Sequence, residues 1–99
     1  MTLEVGKVVT FKLNSGEELI AKVAAVDAAW IKITDPVSVA PGPKGMGLVP
    51  SLFTGNPDQT VTINTNSIAM YVETDDTVRG KYTEATTGIQ VPDKKIIMG

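Results

Sequence analysis

Lys7-Val8-Val9-Thr10-Phe11-Lys12-Leu13-Asn14-Ser15-Gly16-Glu17 is the stretch that decides the fold, because it reads as a strand running straight into a tight turn. Val9, Phe11 and Leu13 recur at a period of two, which places them on one face of extended chain. Asn14-Ser15-Gly16-Glu17 supplies the residues that tolerate the positive φ of a hairpin turn. Leu19 to Val26 follows as a second strand, with Ile20, Lys22, Ala24 and Val26 on one side and Leu19, Ala21, Val23 and Ala25 on the other. Both sides are largely apolar, so this strand is expected to be long, bent and buried on both faces. The alternative is a helix from Glu17 to Ala29, since Ala, Glu and Leu favour helices. Gly16 at its start and the β-rich run after it favour the strand. Asp27-Ala28-Ala29 turns the chain, and Trp30-Ile31-Lys32-Ile33-Thr34 forms a third strand.

Outward from that core the pattern stays extended. Asp35 to Ala40 continues the strand, with Pro36 marking a bend or edge position. Pro41-Gly42-Pro43-Lys44-Gly45-Met46-Gly47 reads as a loop by composition. Leu48 to Phe53 is a short apolar strand made irregular by Pro50, and Thr54 to Asp58 is a turn region. Thr60 to Ile63 and Ile68 to Val72 are two further strands, separated by Asn64-Thr65-Asn66-Ser67. Asp75-Asp76-Thr77 then caps a helix, with Val78, Tyr82 and Ala85 on one stripe and Gly88 as its stop. Gly80 inside it costs about 1 kcal/mol against Ala. Ile89 to Gly99 is an extended tail, with Ile96-Ile97-Met98 as a possible added strand. Five or six short strands and little helix predict a mainly β fold, a small barrel.

Composition narrows function mainly by exclusion. The 99 residues make one domain, with 42% hydrophobic and 20% charged content in the globular range. His and Cys are both absent, which removes disulfides, thiolate or imidazole metal sites, Ser-His-Asp triads and cysteine nucleophiles. An enzyme is therefore the weakest reading, with carboxylate or Lys chemistry the route left open to it, and no catalytic residue, metal site or cofactor is expected. The net charge of −2 lacks the broad basic footprint that tight duplex binding needs. Neither a signal peptide nor a membrane-length apolar run is present, which predicts a soluble, cytoplasmic protein with no membrane contact. The adjacent pairs Glu17-Glu18 and Asp75-Asp76 sit where neighbouring carboxylates seldom converge on one site. Lys44-Gly45-Met46 lacks the Gly-Lys-Ser/Thr of a phosphate loop.

From Phe11-Lys12-Leu13-Asn14-Ser15-Gly16 through Trp30-Ile31-Lys32-Ile33-Thr34-Asp35 the chain resembles the first motif of the Sm/LSm/Hfq family. Gly16 takes the turn glycine, Leu19 the hydrophobic position and Ala21 the small residue. Asp27 takes the acidic position, Trp30 the bulky one and Asp35 the acidic end. Ile63-Asn64-Thr65-Asn66-Ser67-Ile68 would be the second motif, and the two cover about a third of the chain. Several features depart from the pattern. Only six residues precede the first strand, where the family usually opens with a helix, and the helix expected here follows the strands instead. Ile31 stands at the base-binding Asn position, and Asn64-Thr65-Asn66 replaces the Arg-Gly or Tyr-Lys-His of the second motif. A Pro- and Gly-rich connection also sits before the fourth strand. These suit a divergent, phage-borne branch such as the Sm-like proteins of cyanophage type.

The resemblance implies a strongly bent, five-stranded Sm-like (SH3-like) barrel over 1–74, with residues 75–99 as a helix and tail packed on the same domain. It also implies a homo-oligomeric ring of about five to seven copies, in which the apolar edge strands Leu48 to Phe53 and Ile68 to Val72 find partners. The alternative is a monomer whose own pairing, or the tail at Ile96 to Met98, covers those edges. In the family, single-stranded RNA meets the loops before the third and fifth strands, here Asp27 to Ile31 and Asn64 to Ser67. Asp27, Trp30, Lys32, Asn64 and Asn66 become the candidate nucleic-acid-binding residues, with Trp30 to stack a base, Asn64 and Asn66 to bond base edges, and Lys32 to face phosphate. Each has a plainer role: Trp30 as core, Asn64 and Asn66 as turn formers, Lys32 as a solvated strand residue. A structural or protein-interaction ring without RNA binding is the competing function. Lys22, Lys32 or Lys44 gathered on the binding face would separate the two.

Overall fold

The computed structural model describes residues 3–87. Six strands form one antiparallel sheet: β1 Val8–Leu13, β2 Glu18–Val26, β3 Trp30–Gly42, β4 Gly45–Pro50, β5 Val61–Asn64 and β6 Ile68–Glu73. A 3-10 turn, Thr65–Ser67, joins β5 to β6, and helix α1 spans Asp76–Thr86. The spatial order is β4-β3-β2-β1-β6, with β5 also paired to β3. The fold is therefore mainly β, as expected, and Glu17 to Ala29 is strand and turn rather than helix. No ladder joins β5 to β6 among the described residues, so the sheet is open.

The expected inward face of β1 is the one that is buried. Val9 and Phe11 join Leu19, Ala21, Val23, Ile31 and Ile33 in the main core, with Leu13 packed against it. Phe11, Ile31 and Ile33 are wholly inaccessible to solvent. Gly16 closes the β1–β2 turn at φ 95, a left-handed conformation that carries a penalty for any residue with a Cβ. Two register shifts, between Ile20 and Lys22 and between Val23 and Ala25, interrupt the β2–β3 ladder. Where such a shift is a β-bulge it increases local twist and bends the strand.

Burial on both faces holds only for the first half of β2. Ile20 lies opposite the main core in a second cluster with Val37 and Tyr82, against which Val8, Val39, Leu48 and Val78 pack. Lys22 and Val26 are exposed instead. Helix α1 supplies that second cover. Asp75 is its N-cap, accepting from the backbone amides of Thr77 and Val78 at 3.0 and 3.2 Å. Its packed stripe is Val78, Tyr82 and Thr86, while Ala85 is exposed, because the helix meets the sheet at the four-residue spacing. The expected stop at Gly88 and the tail from Ile89 to Gly99 lie outside the described residues.

The segment expected as a loop, 41–47, is a tight hairpin. β3 runs on through Pro41 and Gly42, Gly42 pairs with Gly45, and β4 begins at Gly45 rather than at Leu48. Pro43 suits the second position of such a turn, and Gly45, at φ 107, its fourth. Tertiary pairing along Val37 to Gly42 overrides the composition. β4 and β5 both pair with β3, β5 at residues 30–33 and β4 at residues 37–42. They lie end to end along one sheet edge, as a single strand interrupted by the excursion 51–60.

Candidate nucleic-acid interface

Three turns meet at one end of the sheet. The Asn14 amide donates to the Ser67 carbonyl at 2.8 Å, and its side-chain Nδ2 donates to the Asn66 carbonyl at 2.6 Å. On the other side, the Thr65 amide donates to the Ala29 carbonyl at 3.1 Å and the Thr65 hydroxyl to the Ala28 carbonyl at 2.9 Å. The loops before β3 and β6, which the family resemblance implies for the site, are thus fastened to each other and to the β1–β2 turn.

This places the candidate residues as follows. Trp30 pairs with Asn64 and Lys32 with Thr62, so all four share the face of β3 and β5 opposite the buried Ile31 and Ile33. Trp30 is half-buried and belongs to neither core cluster, contrary to its plainer reading. Lys32 is exposed, with its Nζ 5.6 Å from the Trp30 ring centroid, a cation–π contact that holds the ammonium beside a stacking surface. Asn64 and Asn66 are exposed at the neighbouring turn, and there the turn-forming role is real: Asn64 Oδ1 accepts from the Asn66 amide at 2.8 Å. Asp27 is likewise occupied locally, its Oδ1 accepting from the Ala29 amide at 3.4 Å.

Of the three lysines at issue, two fall on this face. Lys22 pairs with Thr34, which shares the Trp30–Lys32 side of β3, whereas Lys44 stands at the hairpin tip at the opposite end of that strand. Among the described residues neither Lys22 nor Lys32 is in an ion pair; the salt bridges are Lys7–Glu73, Lys12–Glu18 and Arg79–Asp76. Ile31, at the family's base-binding Asn position, is buried in the core and offers nothing to a ligand. Sequence reasoning missed Asn14 and Thr65 as the staples of the site. Both look like ordinary turn residues, and their partners lie 52 and 37 residues away.

No group of His, Cys, Asp or Glu among the described residues is arranged to hold a metal ion. No helix among them is long and apolar enough to cross a membrane. No known protein-family profile matches this chain, and no curated protein matches it.

Proposed function

We infer that this chain is a divergent Sm-like module that associates into a cytoplasmic ring and binds single-stranded RNA on the Trp30 face. The observation that carries the reading is the convergence of the three turns, which fixes Trp30, Lys32 and Asn64 on one exposed face with the Lys32 ammonium over the indole. An aromatic plane with a cation beside it suits a stacked base and its phosphate, a contact worth about 1–3 kcal/mol per base. Counting β4 and β5 as one interrupted strand leaves five strands, the number a small SH3-like barrel has, which supports the barrel reading. Ring formation is supported by the two edges left open: β6 pairs only with β1, and the β4–β5 edge only with β3, among the described residues. Repetition around a ring multiplies a weak single contact.

A structural ring without RNA binding is the second reading, favoured by the net charge of −2 and by buried Ile31 where the family places a base-binding Asn. Light scattering with and without fluorescent oligo-U or oligo-A separates the readings. A ring whose oligonucleotide polarisation rises and falls with added salt supports RNA binding. A ring that leaves polarisation unchanged favours the structural reading, and a monomer defeats both.

A further inference from the structure

Helix α1 covers only part of the outer face of the sheet. It packs over Ile20 and Val37, and the Tyr82 hydroxyl, bonded to the Thr34 and Asp35 carbonyls, marks its edge on β3. The three joined turns close the other end of that face. Between these limits a bare patch runs across β5, β3 and β2. Asn64, Thr62, Trp30, Lys32, Thr34 and Lys22 face outward on it, as the ladder registers and the burial of Val23, Ile31 and Ile33 beneath them require.

The patch is cationic in a chain whose net charge is −2. None of those outward side chains is acidic. Asp27 lies in the turn beyond Trp30, where it accepts from the Ala29 amide, and Asp35 stands at the positive-φ break in β3 beside Tyr82. Lys22 and Lys32 are exposed, and neither is in an ion pair among the described residues. Lys22 pairs with Thr34, two residues along β3 from Lys32, so the two lysines are diagonal neighbours on adjacent strands. Such neighbours stand about 7–8 Å apart at the backbone, within reach of long side chains. Two like charges that close repel each other unless an anion lies over them. Flexible four-carbon stems let the two ammonium groups meet successive phosphates of one extended strand.

We propose that Lys22 is a second phosphate-binding residue, and that a single strand with one base on Trp30 runs its backbone over Lys32 and then Lys22. This rests on the RNA reading above and gives the bound strand a course, from the joined turns across β3 to β2. It needs one copy of the chain only. The ligand class follows from the course: an extended single-stranded RNA with at least two consecutive phosphates. A duplex does not fit, because a base must leave its stack to lie on the indole. Thr62, level with Lys32 on β5, offers a hydroxyl to a sugar or phosphate oxygen beside the course.

Polarisation of a labelled oligo-U at several salt concentrations tests the course in the full chain. Wild type is compared with Lys22→Gln, Lys22→Arg and, as a control at the hairpin tip, Lys44→Gln. Lys22→Gln is expected to weaken oligo-U and oligo-A alike and to reduce the salt slope by about one unit. Lys22→Arg, which keeps the cation, is expected to bind like wild type, and Lys44→Gln to change nothing. Combining Lys22→Gln with Lys32→Gln is expected to remove about two units of slope. If Lys22→Gln leaves the slope unchanged while Trp30→Ala abolishes binding, the course is wrong and the RNA reading survives. An equal loss in Lys44→Gln overturns the course as well, since attraction by overall charge would then explain it. Displacement of the strand by duplex or by poly-glutamate as readily as by unlabelled oligo-U overturns it in favour of a general polyanion surface. A wild type that binds no oligonucleotide overturns both readings.

Discussion

The Tyr82 hydroxyl donates to the carbonyls of Thr34 and Asp35, at 3.2 and 2.9 Å, and so fastens helix α1 to the middle of the longest strand. Asp35 is the only non-glycine described residue with positive φ, at 51°. The helix grips the strand at the point where its backbone departs from extended geometry. That point separates the β5-paired half of β3, which carries Trp30 and Lys32, from the β4-paired half.

Tyr82→Phe removes the hydroxyl proton that those two carbonyls share. It is expected to cost about 1–1.5 kcal/mol, read as a lower urea midpoint at unchanged m value. Tyr82→Ala also opens a cavity against Ile20 and Val37 and is expected to cost about 3–5 kcal/mol.

The same tyrosine makes stability depend on alkaline pH. Burial, and then the charge of Asp35, push its hydroxyl well above the ordinary tyrosine value. The folded state keeps the proton where the unfolded chain has lost it, so the contribution is fully present below about pH 10 and declines as pH rises beyond that. Urea titrations from pH 8 to 11 are expected to show a steeper loss for wild type than for Tyr82→Phe, and parallel curves would contradict this assignment.

Asp35 tolerates positive φ better than most residues because a short polar side chain is among the least penalised there. Asp35→Gly is expected to change stability by less than about 1 kcal/mol. Asp35→Val, β-branched and strained in that region, is expected to lose about 2 kcal/mol or more. Thermal melts of the two variants side by side make the comparison.

For RNA, Trp30→Ala is expected to lower oligo-U affinity about tenfold or more while leaving the unfolding midpoint near wild type, since the indole lies outside both cores. Trp30→Phe keeps a stacking plane and is expected to retain most of the affinity. Lys32→Gln is expected to flatten the salt dependence of binding by about one unit of slope for each phosphate it leaves without a counter-charge. Polarisation at several salt concentrations reads both effects.

Thr65→Val removes the hydroxyl bonded to the Ala28 carbonyl while keeping side-chain shape. A stability loss of about 1 kcal/mol is expected, together with weaker oligonucleotide binding as the two loops lose their fastening. Binding unchanged in a destabilised variant would show that the loops need no staple to position Trp30.

Much of the fold was legible in local pattern. The period of two in Val9, Phe11 and Leu13 marked the buried face of β1, because alternation follows from strand geometry and needs no partner to be recognised. Gly16 and Asp75 marked a turn and a helix cap for the same reason: each answers to its own backbone. The expectation failed where distant pairing outweighed composition. Pro- and Gly-rich 41–47 became a hairpin because β3 offered β4 an edge, and Thr86 replaced Ala85 on the helix stripe because the sheet chose which side to cover.

The candidate site divides along the same line. Sequence by itself determined which residues had the chemistry: Trp30 to stack, Lys32 to carry charge, and Asn64 and Asn66 to turn. Tertiary structure alone decided that Trp30 stands outside the core with Lys32 over it, that Asn14 and Thr65 tie three remote turns together, and that Lys44 stands apart. Residue type sets what a side chain can do. Whether it faces solvent or core, and which residues share its face, is set by ladder register and by long-range hydrogen bonds between segments that have no contact until the sheet forms.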